Sequence, residues 1–319
     1  MEDIVVRRFN LHVGNIEGYI WNHEQVFDFC LEHSIIGTGW GIECEYTVEN
    51  FRREFPNNQG GIKAMNAIED MKKNDLIWTR RKGIYYLCRV KNNKTYHISK
   101  DKKIFEKQKK EYAILKDISY QDLINADIWN FVECDFCYVG SESNVFGSVV
   151  NSMAVGGVTQ IVRKGEEALV EYSKRMFNKN AKSSYKYKLK PIQDKWKYFW
   201  GRINSEELEE IIGLYLQIEK NYGIYTSTCK KSTIQAEFEL FDRKTGEKAF
   251  LQVKEYTIDI NQYTDLAKEG KVYIFSNDEH EYEKKSNIIR ITRKEVENFV
   301  ERELKMLPRK IRYIFEEEV

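Results

Sequence analysis

The sequence predicts two domains of mixed architecture: a small β-barrel with helices, then an α/β domain on a central mixed sheet, so the chain combines α+β and α/β character. Three observations carry this. The length of 319 residues suits about two domains of ordinary size. The first half runs through short β-rich segments broken by glycine-containing turns, the pattern of a small barrel. The last third runs helix, hairpin, helix, strand, strand, helix, the mixture of an α/β layer. The expected boundaries are a first domain over 1–163, a helical basic-aromatic linker over 164–202 and a second domain over 203–319.

Each element has its own signal. HSIIGTGWGIE (33–43) is β-rich, with glycines that bend it. MNAIEDMKKNDLIWTRRKGIYYLCRV (65–90) reads as a short helix, a turn at Lys73-Asn74, a strand, a turn at Arg81-Lys82-Gly83 and a second strand. FVECDFCYVG (131–140) reads as a further strand, and FGSVVNSMAVGGVTQIV (146–162) is ambiguous around its Gly-Gly break. In 165–179, Leu169, Tyr172 and Met176 recur at helical spacing. The next helix has Asn204 or Ser205 as N-cap, glutamates in its first turn and a stripe of Leu208, Ile211, Ile212, Tyr215, Ile218 and Tyr222, with Gly223 ending it. Strands over 271–277 and 287–292 and a last helix complete the α/β part.

Composition narrows the class. Apolar residues make up 42%, enough for cores, so global disorder is excluded. No run of about 18 apolar residues occurs, which argues against a membrane span. The amino terminus, MEDIVVRRFN, has no apolar signal region, and six cysteines in a chain this long fit reduced thiols, so a cytoplasmic location is expected. Lys and Arg number 51 against 50 Asp and Glu, so the whole chain is not a basic nucleic-acid binder. The basic charge is concentrated in 174–202, where lysines alternate with Tyr185, Tyr187, Trp196, Tyr198, Phe199 and Trp200. Lys186 and Lys188 there are candidates for phosphate contacts, and Trp196, Phe199 and Trp200 are expected to pack on the second domain.

The chemistry sits on the hairpin. STIQAEFELF (232–241) places Ile234, Ala236, Phe238 and Leu240 on one face and Gln235, Glu237 and Glu239 on the other. KAFLQVKE (248–255) places Ala249, Leu251 and Val253 on one face and Gln252 and Lys254 on the other. A fold about Lys244-Thr245-Gly246 sets Glu239 opposite Gln252 and Glu237 opposite Lys254. A solvated amphipathic hairpin shows the same alternation, and context distinguishes the two. Carboxylates beside a glutamine and a lysine suit a hard divalent cation, an attacking water and a developing negative charge.

A glutamate-bearing helix, a strand with the acid, a glycine turn and then Gln252-Val253-Lys254 resemble the Mrr-like branch of the PD-(D/E)XK nucleases over roughly 203–295. The resemblance implies a restriction-endonuclease-like fold, Mg²⁺ or Mn²⁺ held by Glu239, Glu237 and Gln252, and Lys254 as the catalytic lysine. It also implies a helix glutamate, for which Glu209 is favoured and Glu210 remains open. Where that family carries Asp, this chain offers only Glu. Which of Glu237 and Glu239 takes the role is open, and the spacing to Gln252 favours Glu239.

IIGTGWG (35–41) and NDLIWTRRKGIYYLCRV (74–90) resemble the PUA-like barrels, in particular the EVE and YTH group, with Asn74 where glycine is usual. That resemblance, over about 1–160, implies a pocket for a flipped, modified base between aromatic rings. Trp40 and Trp78 are the first candidates, with Trp21 and Tyr85 behind them, though a tryptophan in a small barrel is also ordinary core material. Together the two resemblances imply a modification-dependent, anti-phage restriction endonuclease acting on DNA, plausible as a homodimer. A binding protein with an inactive nuclease fold and an RNA-directed nuclease are the alternatives. Cys134 and Cys137 lack the second ligand pair a zinc site needs, His12, His23, His33, His97 and His280 are scattered, and no nucleotide-triphosphate loop occurs.

Overall fold

Alternation in the first half of the chain is realised as one six-stranded sheet of order β2-β5-β4-β3-β1-β6. The structure is a computed structural model that describes residues 4–11, 21–162, 167–203, 205–228, 236–254, 258–277 and 285–316. Asn204, Ile234, Gln235, His12 and His280 lie outside the described residues. The strands are β1 (Val6–Phe9), β2 (Ile35–Thr38), β3 (Leu76–Arg81), β4 (Ile84–His97), β5 (Asn130–Gly140) and β6 (Thr159–Ile161). Only β1 and β3 pair in parallel. The β3–β4 hairpin turns at Lys82 and Gly83, with φ of 48° and 74°, a left-handed pair that matches the twist of the strands. The long β4 slips register against β5 between Val90 and Thr95, a bulge that bends the strand and curls the sheet into a half-barrel.

Helices cover this sheet: α1 (His23–Glu32), α2 (Val48–Glu54), α3 (Gln59–Glu69), α4 (Lys102–Glu111), α5 (Tyr120–Ala126) and α6 (Gly147–Met153); the strand-and-turn reading had the end of α3 as its short helix and did not separate the others. The signals were capping residues. Asn22 accepts from the N–H groups of Glu24 and Gln25 while Gln25 accepts from the Asn22 N–H, and Ser119 and Asp122 form the same box on α5. Phe9, Phe27, Ile35, Ile77, Cys88, Phe131 and Cys134 meet in the core between sheet and helices. Asp75 is buried, accepting from the Val5 and Lys72 N–H groups beside Arg7, and Asn74 before it holds φ 74°, which asparagine tolerates better than most residues.

The chain divides into Met1–Pro191 and Ile192–Val319, so the segment expected to be a linker over 164–202 is folded into both units. Helix α7 (Glu167–Asn180) packs in the first unit, where Ser173 Oγ takes the Trp78 Nε1–H at 3.1 Å. Tyr187, also buried, donates to Asn74 O at 2.8 Å. Helix α8 (Lys195–Arg202) packs in the second, with Trp196 4.7 Å from Phe315 and Trp200 stacked 5.9 Å from Phe275. The physical reason is burial: rings spaced so densely between lysines carry more apolar area than a solvated linker would expose. Several cations there are used internally, Lys174 with Glu171, Lys190 with Glu167, and Lys186 with Asn178 O.

The second unit holds a five-stranded mixed sheet of order β11-β10-β9-β8-β7: β7 (Tyr222–Ile224), β8 (Phe238–Asp242), β9 (Lys248–Lys254), β10 (Lys271–Ser276) and β11 (Ile288–Arg290). β9, β10 and β11 run parallel, while β7, β8 and β9 are antiparallel neighbours. Helix α9 (Ser205–Glu219) buries Leu208, Ile211, Ile212, Tyr215 and Leu216, and Ile218, expected in the stripe, is exposed. Tyr215 meets Phe299 of α10 (Arg293–Arg302) edge-on at 5.6 Å. The helix expected between hairpin and β10 is reduced to a 3₁₀ turn at Ile260–Tyr263 and one turn at Leu266–Glu269. Among the described residues, no helix is long and apolar enough to cross a membrane.

Candidate functional site

The turn between β8 and β9 decides which acid faces which partner. Asp242 Oδ1 accepts from the Lys244 and Thr245 N–H groups at 2.7 and 3.2 Å, its carbonyl accepts from Gly246 N, and its own N–H donates to Glu247 O. Gly246 sits at φ 76°, where a side chain would be strained. The turn therefore encloses 243–246, and Glu239 pairs with Phe250, not Gln252. The expected register is corrected by two residues. Because side chains alternate with period two, the acids keep their face, and Gln252 passes from Glu239 to Glu237.

Glu237 is the carboxylate brought to Gln252 and Lys254. Gln252 Nε2 donates to Glu237 Oε1 at 2.7 Å, and Lys254 Nζ stands 3.3 Å from the same oxygen. Gln252 is only 3% exposed, because β9 is a central strand covered on both faces, while Lys254 reaches solvent. Tyr263, on the 3₁₀ turn, lies in the field of this carboxylate: burial first, then the charges of Glu237 and Asp259, push its hydroxyl above the ordinary range. On α9, Glu209 is half-buried and Glu207 fully buried. Burial raises the Glu210 carboxyl despite Lys310 at 3.6 Å, with Glu207 adding to the rise.

Both protein donors reach Glu237 Oε1. Among the described residues, Glu237 Oε2 and the Gln252 side-chain carbonyl accept no hydrogen bond, the amide nitrogen being turned to Glu237 Oε1 and Val253 O. A carboxylate oxygen and an amide oxygen fit a hard divalent cation. No group of three or more His, Cys, Asp or Glu occurs among the described residues, so protein ligands would be few and water would complete the shell.

The first unit contains a cavity of about 690 Å³, lined by Trp40, Phe55, Asn58, Lys100, Asp127 and the 153–158 segment, among others. Trp40 has φ 55°, and Asn130 holds that turn by donating from Nδ2 to Gly39 O and Trp40 O. Asn130 Oδ1 in turn meets His97 Nδ1 at 2.8 Å, and the His97 ring stacks on Tyr46 at 3.7 Å. Asn58 caps α3 by accepting from Gly61 N. Asp127, left-handed at φ 47°, accepts from Trp129 Nε1.

Of the aromatic residues singled out for this pocket, Trp40 alone lines it. Trp78 is 0% exposed and bonded to α7, and Tyr85 is equally buried, so both are core: they belong to central strands β3 and β4, whose covered faces demand large side chains. Trp21 packs on the core beside Phe29. Lys188 is exposed on the segment after α7. The sequence reading missed Asn58, Lys100 and Asp127. The cap preceding α3 was the available signal for Asn58, whereas Asp127 and Lys100 reach the cavity only through the curl of the sheet. Cys134 and Cys137 lie buried in β5, where burial raises both thiols, Cys137 to about 12.

Comparison with protein-family models, with curated proteins and with solved structures gives no match.

Proposed function

We propose that this protein is a modification-dependent DNA endonuclease: the second unit hydrolyses phosphodiester bonds with Mg²⁺ or Mn²⁺, and the first reads a modified base in its cavity. The observation that carries the reading is the meeting of Glu237, Gln252 and Lys254 on one face of the central strands. It is the residue set that the PD-(D/E)XK resemblance implies, with Glu237 in the place expected for Glu239. Glu237 Oε2 and the Gln252 carbonyl would hold the cation, which when bound supplies a polarised water and shields phosphate charge. Lys254 Nζ stands within reach of Glu237 and would offer positive charge to the phosphoryl oxygens as they develop charge. Gln252, buried and bonded to Glu237, fixes the carboxylate orientation so that no reorganisation is needed when substrate arrives.

For the reader, the support is the cavity, with the Trp40 ring on its wall and a volume within the range of about 300–1,000 Å³ usual for small-ligand sites. The PUA-like resemblance supplies the expectation that a flipped base enters it. The test is a cleavage panel of phage DNAs with and without hypermodified bases, plain DNA and RNA, each with Mg²⁺ or Mn²⁺. Metal-dependent cutting confined to modified DNA supports the reading. Binding without cutting on any substrate would leave a nucleic-acid-binding protein, and cutting of RNA alone would transfer the substrate class.

A further inference from the structure

Arg8 of β1 is 1% exposed, and among the described residues no carboxylate pairs with it. Its guanidinium instead donates to three successive carbonyls of one loop: Nη1 to Gly157 O at 2.5 Å, and Nη2 to Val155 O and Gly156 O, each at 3.0 Å. A buried cation normally has a partner of opposite charge, because desolvation is costly without one. Here the compensation comes from these peptide dipoles and one long bond from Nη2 to Gln160 Oε1 at 3.4 Å. In a trans peptide the N–H points opposite to the C=O. The N–H groups of Gly156, Gly157 and Val158 therefore point away from Arg8, and these residues line the cavity. Successive N–H groups turned the same way form an anion-binding concavity, and bonds from a cation to the attached carbonyls strengthen each N–H as a donor.

Two further observations agree. A Cβ built on Gly156 meets nothing within 4 Å, and Gly156 does not need a left-handed backbone, so neither packing nor conformation explains glycine there. Glycine leaves the N–H groups open to close approach. Lys100 lines the cavity, and Asp127, the one carboxylate in its described lining, is bonded to Trp129.

We propose that the 155–158 loop, backed by Arg8, binds a phosphate of a nucleotide whose base lies at the Trp40 end of the same cavity. The phosphate part stands on the loop geometry. The placing of the base rests on the reader function proposed above.

The test uses the full chain labelled with ¹⁵N. Inorganic phosphate is titrated first, followed by a panel of plain and modified deoxynucleosides and their 5′-monophosphates. The expected result is a saturable shift of the Gly156, Gly157 and Val158 amide signals with phosphate and with the monophosphates. Gly156→Asp, which the fold accommodates, should weaken that binding roughly tenfold or more with an unchanged melting temperature. Arg8→Gln should weaken it as well, and if that variant fails to fold the Gly156 variant carries the result alone. A single-stranded oligonucleotide should displace the monophosphate; binding without displacement overturns nucleic acid as the source. No shift at these amides, or equal shifts at lysine-bearing surfaces throughout the protein, means an adventitious ion only and overturns the proposal. A nucleoside response of Trp40 fluorescence without the amide shifts removes the phosphate wall and leaves the base reader. Amide shifts with phosphate but no Trp40 response to any nucleoside leave the phosphate wall and remove the base reader.

Discussion

Gln252 Nε2 lies 2.7 Å from Glu237 Oε1, a bond across two central strands that holds a carboxylate at the edge of a buried amide. The bond makes Glu237 a fixed acid. Lys254, two residues further along the same strand face, meets it from the solvent side at 3.3 Å. The three side chains depend on one another for position, which sets the order of effects expected from substitution.

Lys254→Ala should lower metal-dependent cleavage by about 100-fold or more, the usual cost of removing one charge that stabilises the transition state. Lys254 is exposed on its strand, so the melting temperature should hold. Full activity of the purified variant would remove the nuclease reading.

Glu237→Ala should weaken metal binding more than Glu239→Ala, because Glu237 faces Gln252 while Glu239 faces Phe250. Isothermal titration of both variants with Mn²⁺ decides the order. A larger loss in Glu239→Ala would move the cation site one pair along the hairpin.

Trp40→Ala and Trp78→Ala should separate cleanly. Trp78 is core, so its loss should cost about 3–5 kcal/mol of stability. Trp40 lines the cavity, so its loss should spare the melting temperature and reduce preference for modified DNA by about 1–3 kcal/mol, the worth of one stacking wall. Paired melting curves and binding to modified and plain duplexes measure both. Equal melting losses would place Trp40 in the core as well.

His97 gives the first unit a pH dependence of known sign. Burial lowers its pKa below the ordinary 6.5, with the Asn130 bond and Glu69 opposing in that order. The folded state thus binds a proton less readily than the unfolded chain. The stability contribution is complete above about pH 6.5 and is lost as pH falls toward the lower folded value. Chemical denaturation at several pH values should show this loss, and His97→Gln should flatten that part of the curve. A profile identical in wild type and variant would refute it.

The sequence by itself determined the strand faces of the hairpin, the Gln-x-Lys pair, the stripe of α9 as far as Tyr215, though not Ile218 or Tyr222, and the division into two parts. These follow from local periodicity, and periodicity is written in neighbouring residues. It did not determine which acid meets Gln252. The turn fixed that, since a register shift of two residues changes every cross-strand partner while leaving each side chain on its face. Tertiary structure alone also decided that Trp78 is core and Trp40 is wall. Both are tryptophans near glycine turns, but one stands on a central strand covered by α7 and the other on a left-handed turn held open by Asn130. The basic-aromatic segment divides in the same way: the expected packing of Trp196 and Trp200 on the second unit is met by Phe315 and Phe275, whereas the burial of Tyr187 in the first unit rests on a surface at Asn74 that no local pattern marks. Arg8 is the extreme case, because its three carbonyl partners lie about 150 positions along the chain and no local pattern marks them.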